Sequence, residues 1–191
     1  PCSTACIVRL SAHFEITVFY YNPNIDTREE YGKRAEEQRR LIEEMPTPNP
    51  VRFFDAQYSP GDFESMARPF GAEKEGGKRC SACFALRLDK TAAFAKENGI
   101  RWICTTLSVS PMKDSERINE IGSAVAARHG VEWLWSDFKK QNGYQQSIAL
   151  SRQYSLYRQD YCGCIWSHEE RLEQIRAKEA EEAGKARNTD G

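Results

Sequence analysis

The chain has 191 residues, of which 40% are hydrophobic, and this is enough to bury one sizeable core. Its 27 basic and 28 acidic residues nearly cancel, which excludes a global basic field and leaves only a local patch to hold a nucleic acid. No apolar run approaches the roughly 18 residues of a membrane-spanning helix. No signal-peptide pattern is present either, so we expect a cytoplasmic protein with no membrane partner.

Apolar segments typical of strands alternate with amphipathic segments typical of helices. Residues 71–79 are rich in glycine and charge, which predicts an exposed, mobile loop. In chain order we predict a helix at 3–12, a strand at 15–22, a helix at 26–45 capped by Asp26 or Thr27, a strand at 51–58, a short helix from Asp62 that breaks at Pro69, a helix at 80–99, a strand at 100–109, a helix at 110–130, a strand at 131–138, and helices at 141–155 and 167–187.

This alternation predicts an α/β fold in which a mostly parallel sheet carries helices on both faces, a Rossmann-like three-layer sandwich with a C-terminal helical tail. We expect one domain over residues 1–191, with a disordered tail from about residue 180. Ligands of such sheets bind at the carboxyl ends of the strands. The segments at those ends are residues 22–24, 105–113 and 137–143.

Two close cysteine pairs suggest where the chemistry lies. Cys80 and Cys83 form a C-x-x-C pair at a helix start, where first-turn amides and the nearby Lys78 and Arg79 stabilise thiolates. This spacing serves zinc sites, iron–sulfur sites and redox dithiols alike.

Cys162-Gly163-Cys164 is the rarer pair. Its glycine lets the backbone fold tightly, so that both sulfurs can chelate one metal or close a small, easily reduced disulfide ring. Cys2 is a fifth candidate thiol for the same site, whereas Cys6 and Cys104 are expected to pack as small hydrophobic residues. On spacing alone a structural zinc site, a redox or iron–sulfur site, and unconnected thiols all stay open.

Five blocks make a resemblance specific: FYYNPNI, EEYGKR, KRCSACFALRLDKTAAFAKENG, TTLSVSPMKD and LYRQDYCGCIWS, which occur in this order within residues 1–168. They resemble the epoxyqueuosine reductase family QueH, the non-cobalamin type. The resemblance implies reduction of the epoxide of epoxyqueuosine, the modified nucleoside at the tRNA wobble position, to queuosine. It also implies a [4Fe–4S] cluster and a further mononuclear iron, an external electron donor, and a tRNA with a queuosine-type anticodon, or its nucleoside, as partner.

The family opens with a strand and a His-x-Cys-Cys-Ala-Pro-Cys motif, to whose end Pro1-Cys2 correspond. We therefore expect the first strand and its cysteine pair to be missing from this sequence. Two allocations remain open. In one, Cys80 and Cys83 join that pair around the cluster, and Cys162 and Cys164 form a redox-active disulfide. In the other, Cys2, Cys162 and Cys164 also bind metal.

An acid must protonate the oxygen that leaves the epoxide. The candidates by position are Asp114, Asp137, Asp160 and Tyr161. Candidates for binding the substrate are polar or aromatic residues at strand ends and in the matching blocks: Tyr21, Asn22, Asn24, Thr105, Thr106, Ser110, Lys113 and Arg158.

Other functional classes remain as alternatives. A zinc-stapled nucleic-acid-binding module would use the same cysteines structurally. An iron–sulfur tRNA-thiolating enzyme would need a phosphate-cradling Ser-Gly-Gly-type loop, which is not visible here. A plain thiol–disulfide oxidoreductase gives no role to Cys162 and Cys164.

Overall fold

A computed structural model describes residues 3–71 and 73–189, with side chains as far as residue 182. The elements are α1 (Ser3–Leu10), β1 (Ile16–Tyr20), α2 (Arg28–Glu44), β2 (Val51–Asp55), α3 (Pro60–Ala67), α4 (Lys78–Glu97), β3 (Trp102–Ile103), α5 (Ser115–His129), β4 (Glu132–Trp133), α6 (Gly143–Gln153) and α7 (Ile165–Thr189), with 3-10 turns at Arg68–Phe70 and Thr106–Val109.

The helix boundaries follow the capping residues. Thr27 caps α2, because its Oγ1 accepts a hydrogen bond from the Glu30 amide at 3.1 Å. Asp114 caps α5 and accepts from the amides of Glu116 and Arg117. The short helix α3 begins at Pro60, two residues before the predicted start, because proline fits the first turn of a helix.

The strands form two separate parallel pairs. β1 pairs with β2 from Ile16↔Val51 to Tyr20↔Asp55, and β3 pairs with β4 at Trp102↔Glu132 and Ile103↔Trp133. Helix α2 makes the crossover of the first pair and α5 that of the second, as parallel strands require. Mixed α/β structure is therefore confirmed, but a continuous three-layer Rossmann sandwich is not confirmed in the described residues.

Two predicted strands are much shorter than expected. The strand predicted at 100–109 ends at Ile103, because Thr105 Oγ1 accepts from the Leu107 amide and starts a 3-10 turn. The strand predicted at 131–138 ends at Trp133, and the Ser136 amide donates instead to the Asn119 side chain. Side-chain hydrogen bonds thus take backbone groups that a longer ladder would have used.

Apolar side chains gather on both sides of these strands. Helices α4 and α5 pack against β3 through Leu88, Ala92, Ala95, Ile103, Val125 and Ala126. Helices α1 and α2 meet the β1–β2 pair through Ile7, Leu41 and Met45. Burial of apolar surface at about 25 cal/mol per Å² is the main force that holds these layers together.

The last helix, α7, continues to Thr189. The tail predicted from about residue 180 overlaps its end, and residues 190 and 191 lie outside the described part of the chain. None of the helices in residues 3–71 and 73–189 has the length and apolar character needed to cross a bilayer.

Candidate active site

The fold brings the two cysteine pairs together. Cys80 and Cys83 lie in the first turns of α4, and Cys162 and Cys164 directly precede α7. Cys83 and Cys164 are buried in one small cluster with Phe63 and Ala67. Burial raises the pKa of the Cys83 thiol to about 12; Arg87 offsets part of this rise, and the neighbouring sulfurs of Cys162, Cys80 and Cys164 add to it. Thiols that are about 80 residues apart in sequence therefore share one electrostatic site.

Gly163 makes the turn between Cys162 and Cys164 possible. Its φ is +124°, which residues with a side chain rarely adopt. A Cβ at this position would lie 3.1 Å from Arg34 Nη1, 3.1 Å from Asn24 Nδ2 and 3.2 Å from Ile25 Cγ1. The glycine thus allows both the turn and the close approach of the loop that follows β1.

Cys80 receives a hydrogen bond from the loop that precedes α4. The Gly76 amide donates to Cys80 Sγ at 3.2 Å. The Arg79 side chain is 2% exposed, donates to the Gly71 carbonyl at 2.9 Å and lies over the Trp166 ring at 4.3 Å. Trp166 is therefore part of the packing around the thiols and not an exposed stacking surface.

Lys113 lies beside Cys162. Its Nζ is 3.5 Å from Cys162 Sγ and 2.5 Å from Glu75 Oε1, and its side chain is 9% exposed. Burial by itself would lower the pKa of Lys113, but the charges of Cys162 and Glu75 outweigh burial and raise it. A buried ammonium group thus faces the thiol site, where it can stabilise negative charge or donate a proton.

The loop after β1 is held by α3 and α4. The Tyr21 hydroxyl donates to Asp62 Oδ2 at 2.7 Å, and Arg87 donates to Asn22 Oδ1 at 2.5 Å and to the Tyr21 carbonyl at 3.3 Å. Burial, and then the hydrogen bond to Asp62, raise the pKa of Tyr21, so that its hydroxyl stays protonated. Arg87 therefore connects this loop to the electrostatic surroundings of Cys83.

A cavity of about 780 Å³ opens next to Cys162. Its polar end is lined by side chains from three segments: Tyr21 and Asn22, Ser110 and Lys113, and Arg158 and Tyr161. Its apolar end runs between β1 and β3, along residues 14–22 and 100–104, whose facing edges pair with no other strand in the described residues. The polar end is the part of this cavity that adjoins the thiols.

Most of the sequence-predicted site residues reach this cavity. Lining it are Cys162, Tyr161, Tyr21, Asn22, Thr106, Ser110, Lys113 and Arg158. Asp114 and Thr105 do not line it and are engaged as caps, of α5 and of the 3-10 turn respectively. Asn24 is 3% exposed, lies behind the Cys162–Cys164 turn and has no hydrogen-bond partner for its Oδ1. Cys2 lies outside the described residues.

Sequence reasoning missed four charged residues around the thiols: Asp26, Arg34, Glu75 and Arg87. Arg34 could have been found from the sequence, because it lies at helical spacing from Tyr31, Gln38 and Leu41 on the buried face of α2. An arginine on a buried face is almost always paired with another group. The other three carried no local signal, since each acts on a residue distant in sequence.

The sulfurs are free thiols in this arrangement. The described residues contain no group of three or more His, Cys, Asp or Glu side chains placed as ligands around one point. The donor chemistry still suits a sulfur-bound metal, because thiolates are the ligands that iron–sulfur clusters and zinc prefer. These residues therefore fit such a group by chemistry, and the structure does not show a completed ligand set.

Comparison with known proteins gives one consistent result. A family model described as Epoxyqueuosine reductase QueH matches residues 1–170. Proteins of that name are 40% identical over 169 residues in Streptococcus pyogenes serotype M1, 38% over 171 in Staphylococcus epidermidis and 34% over 161 in Thermotoga maritima. The matches cover 87%, 87% and 81% of this chain, and 66%, 72% and 80% of those relatives. The chain thus belongs to the epoxyqueuosine reductase QueH family.

Proposed function

We propose that this protein reduces the epoxide of epoxyqueuosine at the wobble position of tRNA to the alkene of queuosine, an oxidoreductase reaction on tRNA in the cytoplasm. The observation that carries the proposal is that Cys83 and Cys164, one from each cysteine pair, are buried in one cluster while Cys162 lines a neighbouring cavity, in a chain of this family. Since the chain spans about two thirds of the Streptococcus pyogenes relative, the activity of that relative supports the proposal by analogy.

Removal of the epoxide oxygen needs two electrons and two protons. Both C–O bonds of the ring break, a C=C bond forms, and the oxygen leaves as water. If Cys162 and Cys164 supply the electrons, the two thiols become one disulfide, and an external electron donor must reduce it again before the next turnover.

A [4Fe–4S] cluster with a further iron is the cofactor that we propose, and Cys80 and Cys83 are its first candidate ligands on this chain. Cys162 and Cys164 either act as the dithiol or complete the iron ligands, and Cys2 is a further candidate. When bound, such a cofactor would supply single electrons and a Lewis acid for the epoxide oxygen.

Residues of this chain then supply the proton and hold the substrate. Lys113 and Tyr161 both line the cavity beside Cys162, so we assign proton donation to this pair in preference to the capping residue Asp114. Tyr21, Asn22 and Ser110 offer a ring and hydrogen-bonding groups for a nucleoside, and the exposed Arg158 offers a charge for a backbone phosphate.

The test is a turnover assay on protein purified without oxygen. Wild-type protein is incubated with tRNA that contains epoxyqueuosine and with dithionite, and the nucleosides are digested and quantified by mass spectrometry. We expect queuosine to form and iron and sulfide to co-purify with the chain. Zinc without iron, together with no queuosine, would identify a zinc-stapled binding module instead.

Cys83 provides the decisive variant. Cys83→Ser should lose iron absorbance and epoxide reduction together, because a buried ligand of the thiol site is removed. Cys104→Ala is the matched control, since Cys104 lies at the apolar end of the cavity, packs near Val109, and has none of the polar contacts around the cysteine pairs, so both signals should stay unchanged. Retention of iron and activity in Cys83→Ser would remove this residue from the mechanism.

A further inference from the structure

Asp26 contacts the Cys162–Cys164 turn from the loop that follows β1. Its amide donates to the Gly163 carbonyl at 2.9 Å, its Oδ1 accepts from the Tyr161 hydroxyl at 2.9 Å, and its Oδ2 lies 2.7 Å from His168 Nδ1. The side chain is 6% exposed. Asp26 thus makes hydrogen bonds to Gly163, between the two cysteines, and to one residue on each side of the cysteine pair.

The rings bonded to Asp26 also pack on each other. Tyr161 and His168 are stacked with centroids 4.4 Å apart and planes 17° apart. The Arg34 guanidinium lies 4.9 Å from the Tyr161 centroid and donates to the Cys162 carbonyl at 3.3 Å. The residues on each side of the two sulfurs are therefore held by contacts from the loop after β1 and from α2, both of which are distant in sequence.

The turn has little structure of its own to keep the sulfurs in place. It lies outside the helices and strands, and Gly163 holds a φ of +124°, one of many backbone conformations that are open to a glycine, so the turn by itself does not fix the sulfurs. Small displacements matter at a reacting centre, where an error of about 1 Å can cost about 100-fold in rate.

We propose that Asp26 is a positioning residue, which holds Cys162 and Cys164 in the orientation that electron transfer to the epoxide requires. The inference rests on the proposed function, because that function assigns these two cysteines to the reaction. It extends that function to a residue that touches neither cavity nor sulfur and acts through Tyr161, Gly163 and His168.

Two substitutions separate geometry from charge. Asp26→Asn keeps the shape: its Oδ1 can accept from Tyr161, and its Nδ2 can donate to His168 Nδ1 when the imidazole adopts the tautomer with its proton on Nε2. Asp26→Ala removes both side-chain bonds. We expect kcat for epoxyqueuosine in tRNA to fall about 10- to 100-fold in Asp26→Ala with KM nearly unchanged, and to stay within about threefold of wild type in Asp26→Asn.

A second readout does not depend on turnover. The rate of iodoacetamide alkylation at Cys162, followed by peptide mass spectrometry under anaerobic conditions, should rise several-fold in Asp26→Ala and little in Asp26→Asn. This readout tests the positioning role even if the wild-type protein reduces no epoxide, so failure of the proposed function and failure of this inference are distinguishable.

Asp55 provides the matched control, which separates a loss of stability from a displacement of the cysteine turn. It is also a carboxylate at a strand end that accepts from a tyrosine hydroxyl, that of Tyr31, at 2.6 Å, and it does not line the cavity. Asp55→Ala should lower stability without changing alkylation of Cys162. If Asp26→Ala is too unstable to purify, His168→Phe keeps the ring stack, removes one bond, and should raise the alkylation rate to a smaller extent.

The inference is overturned by either of two results: an alkylation rate at Cys162 that is the same in wild type and Asp26→Ala, or equal changes in Asp26→Ala and Asp55→Ala. Equal loss of kcat in Asp26→Asn and Asp26→Ala would likewise refute a geometric role, because it would assign the effect to the negative charge.

Discussion

Replacing Gly163 by alanine tests the geometry of the thiol turn directly. A residue with a side chain at a φ of +124° is strained by about 1–3 kcal/mol. The added Cβ would also lie within 3.1 to 3.2 Å of Arg34, Asn24 and Ile25, so these neighbours must shift. Together the two effects should destabilise the protein by about 2–4 kcal/mol.

Two other glycines separate these contributions. Gly99 has a φ of +66° but open space at its Cβ position, so Gly99→Ala should cost only about 1 kcal/mol, the strain alone. Gly32 lies inside α2, with open space and no unusual φ, so Gly32→Ala should stabilise by about 0.5–1 kcal/mol. The three variants are therefore expected to differ in size and in sign.

The assay is urea unfolding followed by far-UV circular dichroism on reduced protein. With an m value of about 2 kcal/mol/M, a loss of about 3 kcal/mol in Gly163→Ala should lower the midpoint by about 1.5 M. A midpoint for Gly163→Ala equal to that of Gly99→Ala would show that the neighbouring side chains yield freely. A wild-type midpoint would refute the strained turn altogether.

Three further predictions concern the core, the pH dependence and the tRNA. Asn119 is 2% exposed and its side chain makes four hydrogen bonds, so Asn119→Ala should lower the free energy of unfolding by about 2–4 kcal/mol. Replacing the exposed neighbour, Glu120→Ala, should lower it by less than about 0.5 kcal/mol, and equal losses would contradict this reasoning. Burial raises the pKa of the Cys104 thiol from 9.0 to about 12, so the folded state keeps a proton that the unfolded chain releases, and stability falls as pH rises through this window. Between about pH 9 and pH 10 the loss from this thiol should be about 1 kcal/mol, and an unchanged pH dependence of the urea midpoint in Cys104→Ala would argue against it. Arg158→Gln should reduce the slope of log binding constant for tRNA against log salt concentration by roughly one phosphate contact. Arg128 is a surface charge paired with Asp89 outside the cavity, so Arg128→Gln should leave this slope unchanged. The same slope in the wild type and both variants would exclude Arg158 from tRNA binding.

Local sequence determined most of the helices. Thr27 caps α2 as the sequence predicts, and α4 ends at Glu97, within two residues of its predicted end, whereas Asp114 caps an α5 that begins five residues after the predicted start. These signals are reliable because a cap satisfies backbone groups within a few residues of itself. The parallel direction of the strand pairs also follows from the sequence, since a crossover helix separates the partners of each pair.

Strand length and the surroundings of the thiols were decided by the tertiary structure. The segments at 100–109 and 131–138 have the apolar character of strands, yet Thr105 and Asn119 capture the backbone groups that would have extended the ladders. A pattern of hydrophobic residues carries no information about such competing hydrogen bonds.

The chain by itself identified the two cysteine pairs, because close thiols are visible in any short window of sequence. The contacts around these cysteines form only in the folded molecule. Lys113 lies beside Cys162, and the buried Arg34 donates to the Cys162 carbonyl. Asp26 makes hydrogen bonds to Tyr161 and His168. Each of these contacts joins residues between about 50 and 140 positions apart. Their energies depend on distance and burial in space, and those quantities exist only once the backbone has closed around the site.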